Sequence, residues 1–215
     1  MKKGRVFKRG LFCLMIKPVH LSFLKHEFLN SLKLVMSKNK NSDVSVDQLL
    51  DGEYGDYYKN YIDQCRGKTL LKQLHDGKSE LLNLLSPLPE EKTRYRYDEG
   101  KWSIRQVIGH VVDTERIMAF RALAFARGEQ QSIPGYDHSA YVHQANFDER
   151  PAADLLEEYE ANRDSTIQLF SSFTPEMLTK KGTASDVEFT VRALGFIICG
   201  HELHHITVFK ERYLS

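Results

Sequence analysis

The run Leu194-Gly195-Phe196-Ile197-Ile198-Cys199-Gly200-His201-Glu202-Leu203-His204-His205-Ile206-Thr207-Val208 sets the reading of the whole chain. Leu194, Ile198, His201, His205 and Val208 recur at alternating steps of four and three, the one-sided stripe of an α-helix. Its apolar members turn the stripe toward a core, and the two histidines project their imidazoles the same way, one turn apart. Two such rings can present nitrogens to one ion at about 2.0–2.1 Å each. Burying polar rings without a shared partner costs free energy for each, so the pair reads as metal ligands. His204 falls about 100° around the helix from His205 and reads as surface or a supporting group. Cys199, about 200° from His201, reads as a small core residue.

Working outward, Ser103 with Gln106 forms a capping box, and helix formers run from there to Arg127 before Gly128 supplies a stop. Val107, His110, Thr114, Ile117 and Arg121 make the stripe of this helix, so His110 faces inward. A third helix opens near Pro151 and runs to about Phe173, with an extra turn capped by Thr174-Pro175-Glu176. Another, from about Thr69 to Leu85, carries Leu70, Leu74, Leu81 and Leu85 and is ended by Pro87 and Pro89. The last starts near Thr190 and runs almost to the C-terminus. Residues 180–188 read as a connection, and strands are few and short at best. The connection over 129–150 is long for a compact bundle, and such segments often cover a site. The fold class is all-α, a four-helix bundle with long crossover connections.

The composition agrees: 41% of 215 residues are apolar, including 12 Phe and 10 Tyr, enough for a packed core. A net charge of +1 hides an asymmetry, because residues 1–40 carry ten Lys/Arg and one acid, Glu27. The rest is mildly acidic, which argues against a nucleic-acid surface and leaves only the basic segment for phosphate contact. Residues 1–45 read as a basic N-terminal extension. Met36 opens a polar stretch that resembles an ordinary start, so residues 1–35 are expected to be an extension or a mis-called start. An acidic, turn-prone lead-in follows, and the bundle domain is placed at 56–214. Three cysteines without a CxxC pair imply neither a disulfide framework nor a zinc ribbon, and point to a reducing, cytoplasmic setting. No run approaches the roughly 20 apolar residues of a membrane span. Leu11–Ile16 is too short for a secretory leader.

His201-Glu202-Leu203-His204-His205 also matches H-E-x-x-H, the helical zinc-protease signature in which the glutamate is a base. The metzincin continuation is absent, and Glu211 is the sole acid after His205, so proteolysis is set aside. Glu202 is retained as the candidate catalytic proton acceptor beside a metal held by His110, His201 and His205. Asp113, Glu115 and Arg121 stand as pocket or supporting groups, Trp102 as a packing anchor, and His138 and His143 as solvated residues.

Gly100-Lys101-Trp102-Ser103-Ile104, Gly109-His110-Val111-Val112-Asp113-Thr114-Glu115-Arg116, Pro134-Gly135-Tyr136-Asp137, Val191-Arg192-Ala193-Leu194 and Gly200 to His205 occur in that order, ending in Glu211-Arg212-Tyr213-Leu214. In this order they resemble the DinB/YfiT-like superfamily of metalloenzymes, over roughly residues 56–214. The resemblance implies a four-helix bundle with a three-histidine metal site, often in a homodimer, with its ligands at His110, His201 and His205. It also implies small-molecule substrates, since some relatives transfer or rearrange groups with low-molecular-weight thiols such as bacillithiol or mycothiol. Two functions stand open: a metal-dependent enzyme (a thiol S-transferase or a hydrolase), or a non-catalytic, metal-stabilised dimerisation or binding module. Imidazoles suit zinc, nickel or iron, and the sequence does not choose among them. Free imidazoles protonate near pH 6.5, so the ion is expected to leave as pH falls through about that value.

Overall fold

The computed structural model describes residues 43–215; the expectations for residues 1–35 lie outside the described residues. Seven helices and one hairpin follow: α1 (Lys59–Asp63), α2 (Leu70–Leu85), α3 (Ile104–Arg127), α4 (His138–Gln144), α5 (Ala152–Ser171), α6 (Pro175–Leu178), β1 (Lys181–Ala184), β2 (Val187–Thr190) and α7 (Val191–Val208). A π-helical turn over Phe209–Tyr213 ends the last helix.

The caps explain the boundaries. Ser103 accepts from the Gln106 amide while the Gln106 side chain accepts from the Ser103 amide, and Gly128 closes α3 with φ 92°, a left-handed conformation that costs glycine nothing. Thr190 caps α7 by accepting from the Ala193 amide, and Thr174 caps α6. Pro151 stands one position earlier than expected. It is the extended N-cap of α5 and not its first helical residue.

Four helices close a ring: α3 packs on α7 and α5, and α2 packs on the same two from the other side. The interior is layered. One apolar cluster is built on Leu70 and Leu74 of α2, Met118 to Ala126 of α3, Ile167 and Phe170 of α5, and Leu194 to Cys199 of α7. The other takes Leu81 and Leu85, Ile104 to Val112, Leu155 to Tyr159, and Ile206 with Phe209. Between them every helix contributes something other than an aliphatic side chain: Gly77, Glu115, Arg163 and Glu202, all buried. The bundle therefore has a polar storey between two apolar ones.

Three segments differ from the expectation. Where a connection over 180–188 was expected, residues 181–190 form a two-stranded antiparallel hairpin pairing Lys181 with Thr190 and Ala184 with Val187. Its turn is made by Ser185 and Asp186 at φ 52° and 61°, the doubly left-handed geometry that matches strand twist. Neither residue is the glycine that normally signals such a turn. The long connection contains α4, capped by Asp137. The lead-in is part of the packed domain, because Val46 is buried in the first cluster and Ser45 bridges to Thr69. Among the described residues the packing thus includes positions ahead of 56.

α1 crosses α7 at Gly200, where any Cβ would collide with the Tyr61 backbone. Gly200→Ala is therefore expected to push α1 off α7 and lower unfolding stability by about 1–3 kcal/mol. Urea denaturation of parent and variant measures it, and an unchanged midpoint would refute the close approach.

Candidate metal centre

α7 carries His201 and His205, and α3, packed against it, carries His110. Their ring nitrogens converge: His110 Nε2 lies 3.0 Å and His205 Nε2 3.2 Å from His201 Nε2. These are the ligand atoms of a three-histidine cluster in which all lie within 4.8 Å of one another. Two nitrogens bound to one tetrahedral ion at about 2.05 Å stand roughly 3.3 Å apart, close to the spacing seen. The donor set fits a cation in a second way. His201 Nε2 has one hydrogen or one lone pair, so it can complete a hydrogen bond to only one of its two neighbours. A shared cation satisfies all three nitrogens. His205 Nδ1, on the far side of its ring from the cluster, is buried without a partner.

Burial holds these rings neutral, the form that binds metal. The imidazole of His110 is lowered to about 4 by burial and, secondarily, by His138 and His204. Those of His201 and His205 are held well below the ordinary histidine value, first by burial, then by His110 at His201 and by His201 and His110 at His205. His110 also has its outer nitrogen addressed: Thr114 Oγ1 lies 3.5 Å from Nδ1, and the Tyr136 hydroxyl donates to Thr114 Oγ1 at 3.0 Å. An ion held on Nε2 would leave the ring proton on Nδ1, facing Thr114.

The structure places Glu202 elsewhere. Its carboxylate is fully buried behind the histidines, receives Arg163 Nη1 at 2.7 Å and the Tyr159 hydroxyl, and lies where a Cβ at Gly77 would strike it. Burial raises its pKa and Arg163 opposes that rise. Arg163 also grips Glu115 through Nε at 2.9 Å and Nη2 at 2.7 Å, and donates to the Leu74 carbonyl. Glu115 is thus part of this interior network. Asp113 lies 3.6 Å from Arg116, on the flank of α3.

A cavity of about 400 Å³ opens on the three histidines, walled by Trp102, Tyr58, Tyr61, Tyr136, Arg121 and Ile197. Trp102, expected only to pack, stands with its ring 4.8 Å from that of His110. His138 and His204 reach the cavity too, both with exposed side chains. Tyr61 packs edge-on against His201 and is pushed up to about 12 by burial and by the neighbouring Tyr57 phenol. Burial also raises Tyr58 and Tyr136, so all three phenols stay protonated. The lead-in tyrosines went unread in the sequence because no periodicity there marks a face; only α1's contact with α7 brings them to the histidines. Cys65 and Cys199 are buried free thiols outside this cavity.

The sequence profile described as the DinB superfamily matches residues 73–208, a span that holds all three histidines. The chain belongs to the DinB superfamily. A protein of Oceanobacillus iheyensis named "Putative metal-dependent hydrolase" is 24% identical over 141 residues, covering 65% of this chain and 81% of that one. Among solved structures, YfiT from Bacillus subtilis superposes with a TM-score of 0.61 at 17% identity, over 66% of this chain and 82% of that one. YfiT is described as "a probable metal-dependent hydrolase with an unusual four-helix bundle topology". At that identity the likeness speaks for the fold alone, and the fold it gives is the bundle with its crossover connections.

Arg163→Met leaves two buried carboxylates without their cation and is expected to cost about 3–5 kcal/mol. Adding Glu115→Gln and Glu202→Gln should recover much of it, and urea unfolding of the single and triple variants checks both. The buried imidazoles give a second expectation. Below about pH 6.5 an unfolded chain takes up protons that folded His110 refuses until about 4. Metal-free protein is therefore most stable above that window. It should lose up to about 1.4 kcal/mol per pH unit for each such histidine as pH falls through it. Thermal melts of metal-free parent and His110→Asn at about pH 7.5 and about pH 5 test this, the variant losing less.

Proposed function

We propose that the chain is a divalent-metal-dependent enzyme in which His110, His201 and His205 hold the ion and the adjoining cavity receives a small-molecule substrate. The supporting observation is the convergence of three Nε2 atoms on an open cavity, with no fourth metal donor joining the cluster among the described residues. Three histidines with positions left open is the pattern of a catalytic site and not of a closed structural one. A non-catalytic module would favour a fourth protein ligand. The names of the O. iheyensis and B. subtilis relatives point to hydrolysis.

When bound, the ion supplies a Lewis acid that lowers the pKa of a coordinated water or thiol toward neutrality. The chain's own residues supply the rest. Thr114 and Tyr136 hold His110 in the tautomer that aims Nε2 inward. Trp102, Tyr61 and Ile197 exclude water from the approach. Glu202, clamped by Arg163 and Tyr159, acts by fixing the rotation of α7 and so the aim of His201. The imidazoles of His138 and His204, on the cavity wall, are the groups placed to accept and return a proton. With water as nucleophile the reaction is hydrolysis; with a low-molecular-weight thiol it is S-transfer. Phe120 and Leu123, exposed together on α3, support self-association as a homodimer. The free buried thiols support a reducing, cytoplasmic setting.

Elemental analysis of protein purified without a histidine tag should find about one zinc, nickel or iron ion per chain, and little in His201→Ala. Cobalt-substituted protein should change its visible spectrum on adding a thiol. Folded protein that takes up no metal would sink the proposal, and a bound cobalt blind to every added ligand would leave the module as the reading.

A further inference from the structure

Three arginines are fully buried: Arg105, Arg121 and Arg163. Arg105 pairs with Glu90, and Arg163 pairs with Glu115 and Glu202. Arg121 has no such partner among the described residues. Its Nη2 donates to the Pro134 carbonyl at 3.2 Å and to Ser185 Oγ at 3.0 Å. Its Nη1 meets the soft Met118 thioether at 3.8 Å, the Tyr58 hydroxyl stands beside the guanidinium, and its Nε is buried with no partner. A guanidinium has five N–H groups, and the oxygens around this one do not engage them all. A buried cation in this condition costs free energy that the rest of the fold avoids at its other two arginines.

The place of this cation supplies the reason. Arg121 lies on the α3 face that carries His110 and Thr114, eleven residues along, and lines the same cavity as the three histidines. Among the described residues of that lining it is the one permanently charged side chain, and no carboxylate stands with it. Tyr58, Tyr136 and Ser185, all hydroxyl donors, share its end of the cavity. Eleven helical residues span about 16 Å of axis, although the Arg121 side chain leans back toward His110. The metal end and the cationic end therefore address different parts of one ligand.

Resting on the reading of this cavity as the substrate site, we propose that Arg121 receives a carboxylate of the substrate, at the end remote from the histidines. One guanidinium without a neighbouring lysine balances one charge, the charge of a single carboxylate. A phosphate monoester brings nearly twice that charge. The substrate class is thus a small carboxylic acid whose reacting group lies several bonds from the acid.

The test uses adipate monohydroxamate, a metal chelator ending in a carboxylate, and the same chelator ending in a primary amide. Both are titrated calorimetrically into metal-loaded and metal-stripped protein, parent and Arg121→Gln. In the parent the acid should bind about tenfold more tightly than the amide, with metal and without it. Arg121→Gln should erase that preference; Arg121→Lys should keep part of it. Equal binding of acid and amide by the parent overturns the proposal. So does a preference that survives in Arg121→Gln, or a phosphonate-ended chelator preferred over the carboxylate. If Arg121→Gln does not fold, the parent's acid-over-amide ratio and its reduction in Arg121→Lys decide. Failure of the metal reading shows separately, as chelator affinities that stripping the metal does not alter.

Discussion

One guanidinium sits at the junction of all four main helices. Arg163 comes from α5, its carboxylate partners come from α3 and α7, and the carbonyl it serves comes from α2. Apolar layers alone can slide or rotate with little penalty, because one leucine replaces another. A charge at this depth cannot, since any register that separates Arg163 from Glu115 or Glu202 strands buried charges. The triad therefore gives the bundle one rotational setting. On α7 that setting decides where the residue before Glu202 points, and that residue is His201.

The three-histidine cluster depends on the interior in this way. Its three imidazoles occupy the boundary between the polar storey and the cavity, where burial keeps them neutral and where the carboxylates of the storey do not reach them. A site built from neutral rings contributes no negative charge of its own, and the nearest permanent charge in the cavity wall is a cation. The electrostatic character of the cavity is consequently positive once an ion is present, although the domain as a whole is mildly acidic. Global charge and local field have opposite signs here, and only the local one bears on chemistry.

Much of this was legible in the sequence. Periodicity put His110, His201 and His205 on inward stripes, and the caps at Ser103, Gly128 and Thr190 marked helix ends, because both depend on residues within a few positions of one another. What stayed hidden depends on contacts between distant segments. Glu202 sits beside His201 in sequence, yet one residue on a helix is about 100° of rotation, and that turn takes it from the cavity to Arg163. Arg163 itself lies on a helix whose surface is otherwise rich in acids, so nothing local separates it from a solvated arginine. The hairpin over 181–190 was missed because Ser185 and Asp186 adopt left-handed geometry without a glycine, held in place by the pairing of Ile133 with the hairpin. Tyr58 and Tyr61 needed the crossing of α1 over Gly200 to become cavity residues.

The wall behind Arg121 has a different origin from the rest of the cavity. Pro134 belongs to the segment after α3 and Ser185 to the hairpin turn, and the two are joined through Ile133, whose amide bonds the Thr183 carbonyl and whose carbonyl receives the Ser185 amide. Neither segment helps to close the four-helix ring. Changes in their length or side chains can therefore reshape the far end of the cavity while the triad and the histidines stay as they are. The architecture separates what must remain fixed from what can diverge, so a single scaffold of this kind can be refitted to different cavity occupants through a few loop substitutions without being refolded.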